Sequence, residues 1–135
     1  MRVFLDANIL FSGALPKSRM GTFLKALFKH EECLTNVYAI EGARRNLEIK
    51  FPKTLSVLDS LVKNCKIIPS VVSDLEIDLK LKDIPILGGA IAGNATHLLT
   101  GDKRDSGVFF GKTIRGVKIV SPKMLADELV QCGVI

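Results

Sequence analysis

The chain has no tryptophan, one tyrosine and two histidines. His97 sits inside an apolar run and His30 near a helix end, so both read as structural or surface residues. A histidine general base is therefore not expected. Tyr38 is the only tyrosine and most of the seven phenylalanines fall in apolar segments, so no platform for stacking RNA bases is evident. Cysteine is sparse too: Cys33, Cys65 and Cys132 are far apart and form no CxxC pair. A disulfide framework and structural zinc are excluded on that count, and all three read as small buried hydrophobes. No apolar stretch approaches the roughly 18 residues that cross a bilayer. The start, Met1 to Asp6, is charged too soon for a secretory signal, so a cytosolic protein is expected.

What is present suits one soluble domain over residues 1–135. Hydrophobic residues make up 47% and charged residues 24%, which is a folding rather than a disordered composition. The formal charge of +5 is compatible with a nucleic-acid partner.

Short apolar runs alternate with helical patterns. Arg2–Leu5, Cys33–Thr35, Lys66–Pro69, Thr96–Leu99 and Val117–Val120 read as short strands, the first and fourth as buried ones. Asn8, Ser12 and Gly13 make the exit from the first strand turn-like. Ser18 caps a helix carrying Phe23, Leu24, Leu27 and Phe28. Thr35 or Asn36 caps another, with Tyr38, Ile40, Leu47 and Ile49 as its apolar members, ending at Phe51-Pro52. Thr54–Lys63 repeats the helical pattern. Ser73 to Glu76 reads as an acidic start of a short helix reaching Leu81. Asp83 before Ile84-Pro85 opens a further helix, which stops at Gly93-Asn94. Gly88 and Gly89 inside it predict close packing against a neighbour. Gly111–Gly116 reads as a basic loop, and Ser121-Pro122 starts the last helix, with Leu125, Leu129 and Val130. The alternation predicts an α/β fold: a three-layer α/β/α sandwich with a mainly parallel sheet of four or five strands.

Four acids draw attention. Asp6 ends the first strand and Asp102 follows the fourth. Parallel strands carry both to one sheet edge, where open α/β sheets bind ligands. Asp83 at a helix start reaches the same edge, and one helix rotation aims Glu41 there. Such a cluster is self-repelling without a cation. Mg²⁺ or Mn²⁺, with oxygen ligands, removes the penalty and suits phosphodiester hydrolysis, where the ion activates water and stabilises developing charge. Each acid also has an ordinary reading. Asp6 can face solvent, Asp83 can be a helix cap, and Glu41 can pair with Arg45 at i+4. Asp102 and Asp105 can be turn formers beside Gly101 and Gly107. The joint spacing favours the cluster.

At this point the chain resembles the PIN-domain family, particularly its small prokaryotic toxin-like (VapC-like) ribonucleases. The resemblance rests on Phe4-Leu5-Asp6-Ala7-Asn8-Ile9-Leu10, on residues 39–47 around Glu41, on Lys82-Asp83-Ile84-Pro85-Ile86-Leu87-Gly88-Gly89-Ala90, and on Leu98-Leu99-Thr100-Gly101-Asp102-Lys103-Arg104-Asp105. It implies a PIN-like fold and a Mg²⁺- or Mn²⁺-dependent endoribonuclease. Asp6, Glu41, Asp83 and Asp102 are then its catalytic, metal-holding acids, with Asn8, Thr100 and Asp105 in support. An RNA substrate, an antitoxin protein and a homodimer are the implied partners. One departure is Ser106, where family members often carry Phe. Arg44, Arg45, Lys103 and Arg104 are the candidates for holding RNA phosphates. Two other enzyme classes share parts of the pattern. A haloacid-dehalogenase-like phosphatase needs a second Asp two residues after the first, where this chain has Asn8. A receiver domain needs an acidic pair at the first strand, where Asp6 stands alone. A PIN-like module without activity, binding RNA or protein, is the non-enzyme alternative.

Overall fold

A computed structural model describes residues 1–75, 83–101 and 109–134. Within them, the chain forms an α/β fold whose mixed sheet has six strands. These are β1 (Arg2–Leu5), β2 (Glu32–Thr35), β3 (Cys65–Ile67), β4 (His97–Leu99), β5 (Thr113–Ile114) and β6 (Val117–Val120). The order across the sheet is β3-β2-β1-β4-β6-β5. All neighbours are parallel except β5 and β6. The sheet thus has one strand more than the four or five expected. Thr113-Ile114, which reads as basic loop in the sequence, pairs back on β6 across a turn in which Arg115 and Gly116 both have positive φ. Two residues are too few to show a period in the sequence.

The central strands are covered on both faces. Val3, Phe4 and Leu5 of β1 and Leu98 and Leu99 of β4 are buried, as an uninterrupted apolar run requires. Six helices are described: α1 (Ala7–Ala14), α2 (Arg19–His30), α3 (Val37–Lys50), α4 (Leu55–Val62), α5 (Ile84–Ala92) and α6 (Pro122–Gln131). Pro52–Thr54 forms a 3₁₀ turn leading into α4. Ser18, Asn36 and Ser121 cap α2, α3 and α6 through their side-chain oxygens.

Four expectations are corrected here. Residues 7–14 are helix rather than turn, because Asp6 caps them and Ile9, Leu10, Gly13 and Ala14 form a buried stripe. In α3 the buried face is Ala39, Ala43 and Leu47, spaced four apart. Tyr38 and Ile49, expected inside, are 59% and 80% exposed. Ser73–Leu75 is not helical, and the rest of that expected helix lies outside the described residues. The cysteines are free thiols; Cys33 is buried as expected and Cys65 partly so, but Cys132, also expected inside, is exposed. Burial pushes the thiols of Cys33 and Cys65 up to about 12, for Cys33 with added repulsion from Cys65, Glu31 and Glu32. Among the described residues, no helix is long and apolar enough to cross a membrane.

From β1 the sheet grows to β2 and β3 on one side, then crosses back to β4 and β6 on the other. The order of winding reverses between the parallel strands β1 and β4. The carboxyl ends of these two strands open the crevice where such sheets bind ligands.

Candidate functional site

Leu5 of β1 is in register with Leu99 of β4, so Asp6 and Thr100 emerge side by side. The Asp6 amide still donates to the Leu99 carbonyl at 3.1 Å. Among the described residues, three donors reach the Asp6 carboxylate. The Ala7 amide reaches Oδ1 at 2.6 Å, and the buried Thr100 hydroxyl reaches Oδ2 at 2.8 Å. The Asn8 amide approaches Oδ2 at 3.5 Å. Asn8 also donates to Thr100 Oγ1 at 3.3 Å and accepts from the Gly101 amide at 2.9 Å. Asn8 therefore ties the start of α1 to the end of β4. That bracing explains the polar residue at this position. The phosphatase reading would require an acid there.

Asp83 comes to the same place by a second tie. It stands at the start of α5, with Pro85 in the first turn, and its side chain makes no capping bond to the helix. The buried Asn36 joins this helix to α3. Its Nδ2 donates to the Pro85 carbonyl at 3.0 Å, while its Oδ1 accepts from the Ala39 amide at 3.1 Å. Gly89 makes room for that bridge, because a Cβ there would overlap the Asn36 amide and lie 3.2 Å from Phe4 Cζ. Gly88 does the same for the segment before the helix, its carbonyl accepting from the Val72 amide at 3.0 Å. The two glycines expected to mark close packing do so.

Asp6 and Asp83 both line a cleft of about 540 Å³. Its other walls include Asn8 and Phe11 from α1, and Tyr38, Gly42, Arg45, Asn46 and Lys50 from α3. Glu41 is not among the lining residues. Its carboxylate lies 4.0 Å from Arg44 Nε, and Arg44 in turn binds Asp59 of α4 at 2.9 Å. The helical rotation that was expected to aim Glu41 at the acids aims Gly42 instead, one residue on. Arg44 points away with it, whereas Arg45 lines the cleft. The Asp59 hydrogen bond raises the pKa of Arg44 further, against the lowering effect of burial.

Asp102, Lys103, Arg104, Asp105 and Ser106 lie outside the described residues. Among the described residues, no group of three or more His, Cys, Asp or Glu is arranged to hold a metal ion. Two carboxylates on one cleft nevertheless suit a hard dication. Mg²⁺ commonly takes one or two protein carboxylates and keeps waters or phosphate oxygens for its other positions. The donors of Asp6 and Asp83 are all oxygen, which fits Mg²⁺ or Mn²⁺ rather than a thiophilic metal.

Sequence reasoning missed Phe11, Tyr38 and Lys50 as cleft residues. For Tyr38 and Lys50 the signal was the buried stripe of α3, two of whose three members are alanines; Phe11 lies on α1.

No family model matches the chain, and no curated protein matches it. Among solved structures, the chain is similar to one in VapBC2 from Rickettsia felis bound to a DNA fragment from their promoter, with a TM-score of 0.64 and 18% identity. The match covers 90% of this chain and 98% of that one. It is also similar to a chain of FitAcB from Neisseria gonorrhoeae, with a TM-score of 0.58 and 13% identity over 90% and 98% of the two chains. These likenesses show a shared fold.

Proposed function

We propose that this chain is a PIN-like, Mg²⁺- or Mn²⁺-dependent endoribonuclease and the toxin of a toxin–antitoxin pair. The observation that carries the proposal is the convergence of Asp6 and Asp83, 77 residues apart in sequence, on one cleft at the switch point of the sheet. The solved neighbours support the partner side of the reading, since both come from toxin–antitoxin complexes. In this reading the sheet and helices form the three-layer sandwich of the PIN fold. The protein works in the cytosol as a homodimer, and a small antitoxin blocks the cleft.

Asp6 and Asp83 would hold the ion, with Asp102 as the third acid expected from the sequence. A bound dication supplies charge neutralisation at the phosphate and lowers the pKa of water. The chain's own residues do the rest. Thr100 and the Ala7 amide keep the Asp6 carboxylate in one orientation, so ligand binding need not order it. Asn8 holds the ends of β1 and β4 together. Arg45 and Lys50 place positive charge along the path of the RNA backbone.

The direct test is cleavage of RNA with Mg²⁺ or Mn²⁺ by the unmodified protein and by Asp6→Asn and Asp83→Asn. Asparagine remains a good cap, so Asp6→Asn leaves α1 in place. Metal-dependent cleavage abolished in both variants is the expected result. Undiminished cleavage in both would overturn the assignment.

One observation favours a second reading, a PIN-like module without activity that binds RNA or protein. The cleft face of α3 carries Gly42 instead of a carboxylate. Calorimetry with Mn²⁺ separates the two: no binding at millimolar metal supports the module.

A further inference from the structure

The same cleft carries a feature that phosphodiester chemistry does not need. Tyr38 is 59% exposed, yet it lines the same cleft as Gly42, Asp6 and Asp83. Phe11 lines it from α1 and is backed by Phe51, their ring centroids 6.1 Å apart. Lys50 sits over the Phe11 ring, 5.9 Å from its centroid, and Arg45 joins it on the α3 wall.

An exposed tyrosine on a helix is commonly a solvated residue. Here two aromatic residues and two cations line the same cleft as two carboxylates. At Gly42 a Cβ would lie 3.2 Å from the Ala7 Cβ, so the glycine lets α1 and α3 approach closely at the cleft. Rings beside cations are the arrangement that binds unpaired nucleic acid: the rings stack bases of any sequence and the cations follow the backbone. A duplex hides its base faces and cannot use them.

We propose that Tyr38 and Phe11 form a base-stacking subsite of the cleft, with Arg45 and Lys50 as its phosphate contacts, so that the cleft selects single-stranded RNA. The inference rests on the ribonuclease reading for the choice of RNA. It does not depend on catalysis. Tyr38 fixes where the strand lies relative to Asp6 and Asp83.

The test is fluorescence anisotropy with a short labelled oligoadenylate in EDTA, where no cleavage occurs. Tyr38→Ala is expected to weaken binding on the order of tenfold, and Tyr38→Phe to leave it unchanged, because stacking needs the ring and not the hydroxyl. Arg45→Ala is expected to reduce the dependence of binding on salt. An abasic strand of equal length should bind the unmodified protein as weakly as the oligoadenylate binds Tyr38→Ala. Equal binding of abasic and normal strands, an unchanged affinity in Tyr38→Ala, a preference for duplex, or no binding at all would each overturn the subsite. Base-dependent binding without metal-dependent cleavage would retain the subsite and defeat the nuclease reading. Cleavage with base-independent binding would do the reverse.

Discussion

Gly89→Ala is a sharp test of how the acids are positioned, because two physical effects predict opposite signs. Helix propensity alone makes alanine inside α5 stabilising by about 1 kcal/mol. The packing predicts the reverse. The new Cβ overlaps the amide of Asn36, a residue only 2% exposed, and crowds Phe4 Cζ at 3.2 Å. If Asn36 turns aside, α3 loses its cap, which costs roughly 1 kcal/mol. The Pro85 carbonyl and the Asn36 amide lose each other, and leaving such groups unsatisfied costs about 1–3 kcal/mol. Offsetting the propensity gain leaves a net destabilisation of about 1–3 kcal/mol. Stabilities of about 5–15 kcal/mol are usual for such domains, so the variant still folds. Urea unfolding measures the change as a lower midpoint at unchanged slope. The decisive comparison is a double-mutant cycle with Asn36→Ala. Once the Asn36 amide is gone, Gly89→Ala should cost at least about 1 kcal/mol less. The same bridge sets Asp83 against α3, so Mn²⁺ affinity should fall in Gly89→Ala as well. A variant as stable as the original, or an equal cost in both backgrounds, would refute the reasoning.

Gly42→Glu should place a third carboxylate in the cleft and tighten Mn²⁺ binding by calorimetry, whereas Glu41→Gln should leave it unchanged; a larger loss from Glu41→Gln would restore Glu41 to the site. Asn8→Ala removes the brace to Thr100 and Gly101 and should slow RNA cleavage more than it lowers the unfolding midpoint, and the converse would make Asn8 a stability residue only. Burial works to raise the Glu128 carboxyl, but the His97 hydrogen bond at 2.9 Å, the charge of His97 and the Lys118 contact at 3.4 Å outweigh it and hold it below its usual 4.5. A depressed carboxylate stabilises the fold above its unfolded value and loses that contribution as pH falls through the folded value. Urea midpoints should therefore drop on acidification below about pH 4.5, less steeply in Glu128→Gln, and parallel profiles would exclude this source.

The parts of the fold that show in the sequence are those fixed by local chemistry. Each central strand is a short apolar run bounded by polar residues, and burial on both faces produces that pattern in β1 and β4. Ser18 and Ser121 announce their helices by side-chain chemistry that operates within three residues. The failures have the opposite character. α1 hides because Asn8, Ser12 and Gly13 look like turn residues. Asn8 is polar for a contact with residues 100 and 101, while Gly13 is small because α2 and α4 approach it: a Cβ there would lie 3.2 Å from the Leu61 side chain. Both reasons are tertiary, and neither leaves a local trace. The β5 hairpin is invisible because two residues show no periodicity.

The same division governs the site. Asp6 and Asp83 were legible because each sits where an element changes type, and parallel topology carries such junctions to one edge. Glu41 was not, because its aim depends on helical phase, and one residue is a rotation of about 100°. What fixes that phase is the stripe Ala39, Ala43 and Leu47, in which two of three members are alanine and contribute little to a hydrophobic signal. Of Tyr38, Ile40, Leu47 and Ile49, read as the apolar members, only Leu47 belongs to the buried stripe. The alanines complete that stripe and set the phase. They bring Gly42, Arg45 and Tyr38 to the cleft and send Glu41 to Arg44. The phase set by the alanines thus leaves Tyr38 outside the core and on the cleft, while Glu41, a helical neighbour of both Tyr38 and Arg45, turns its carboxylate to Arg44.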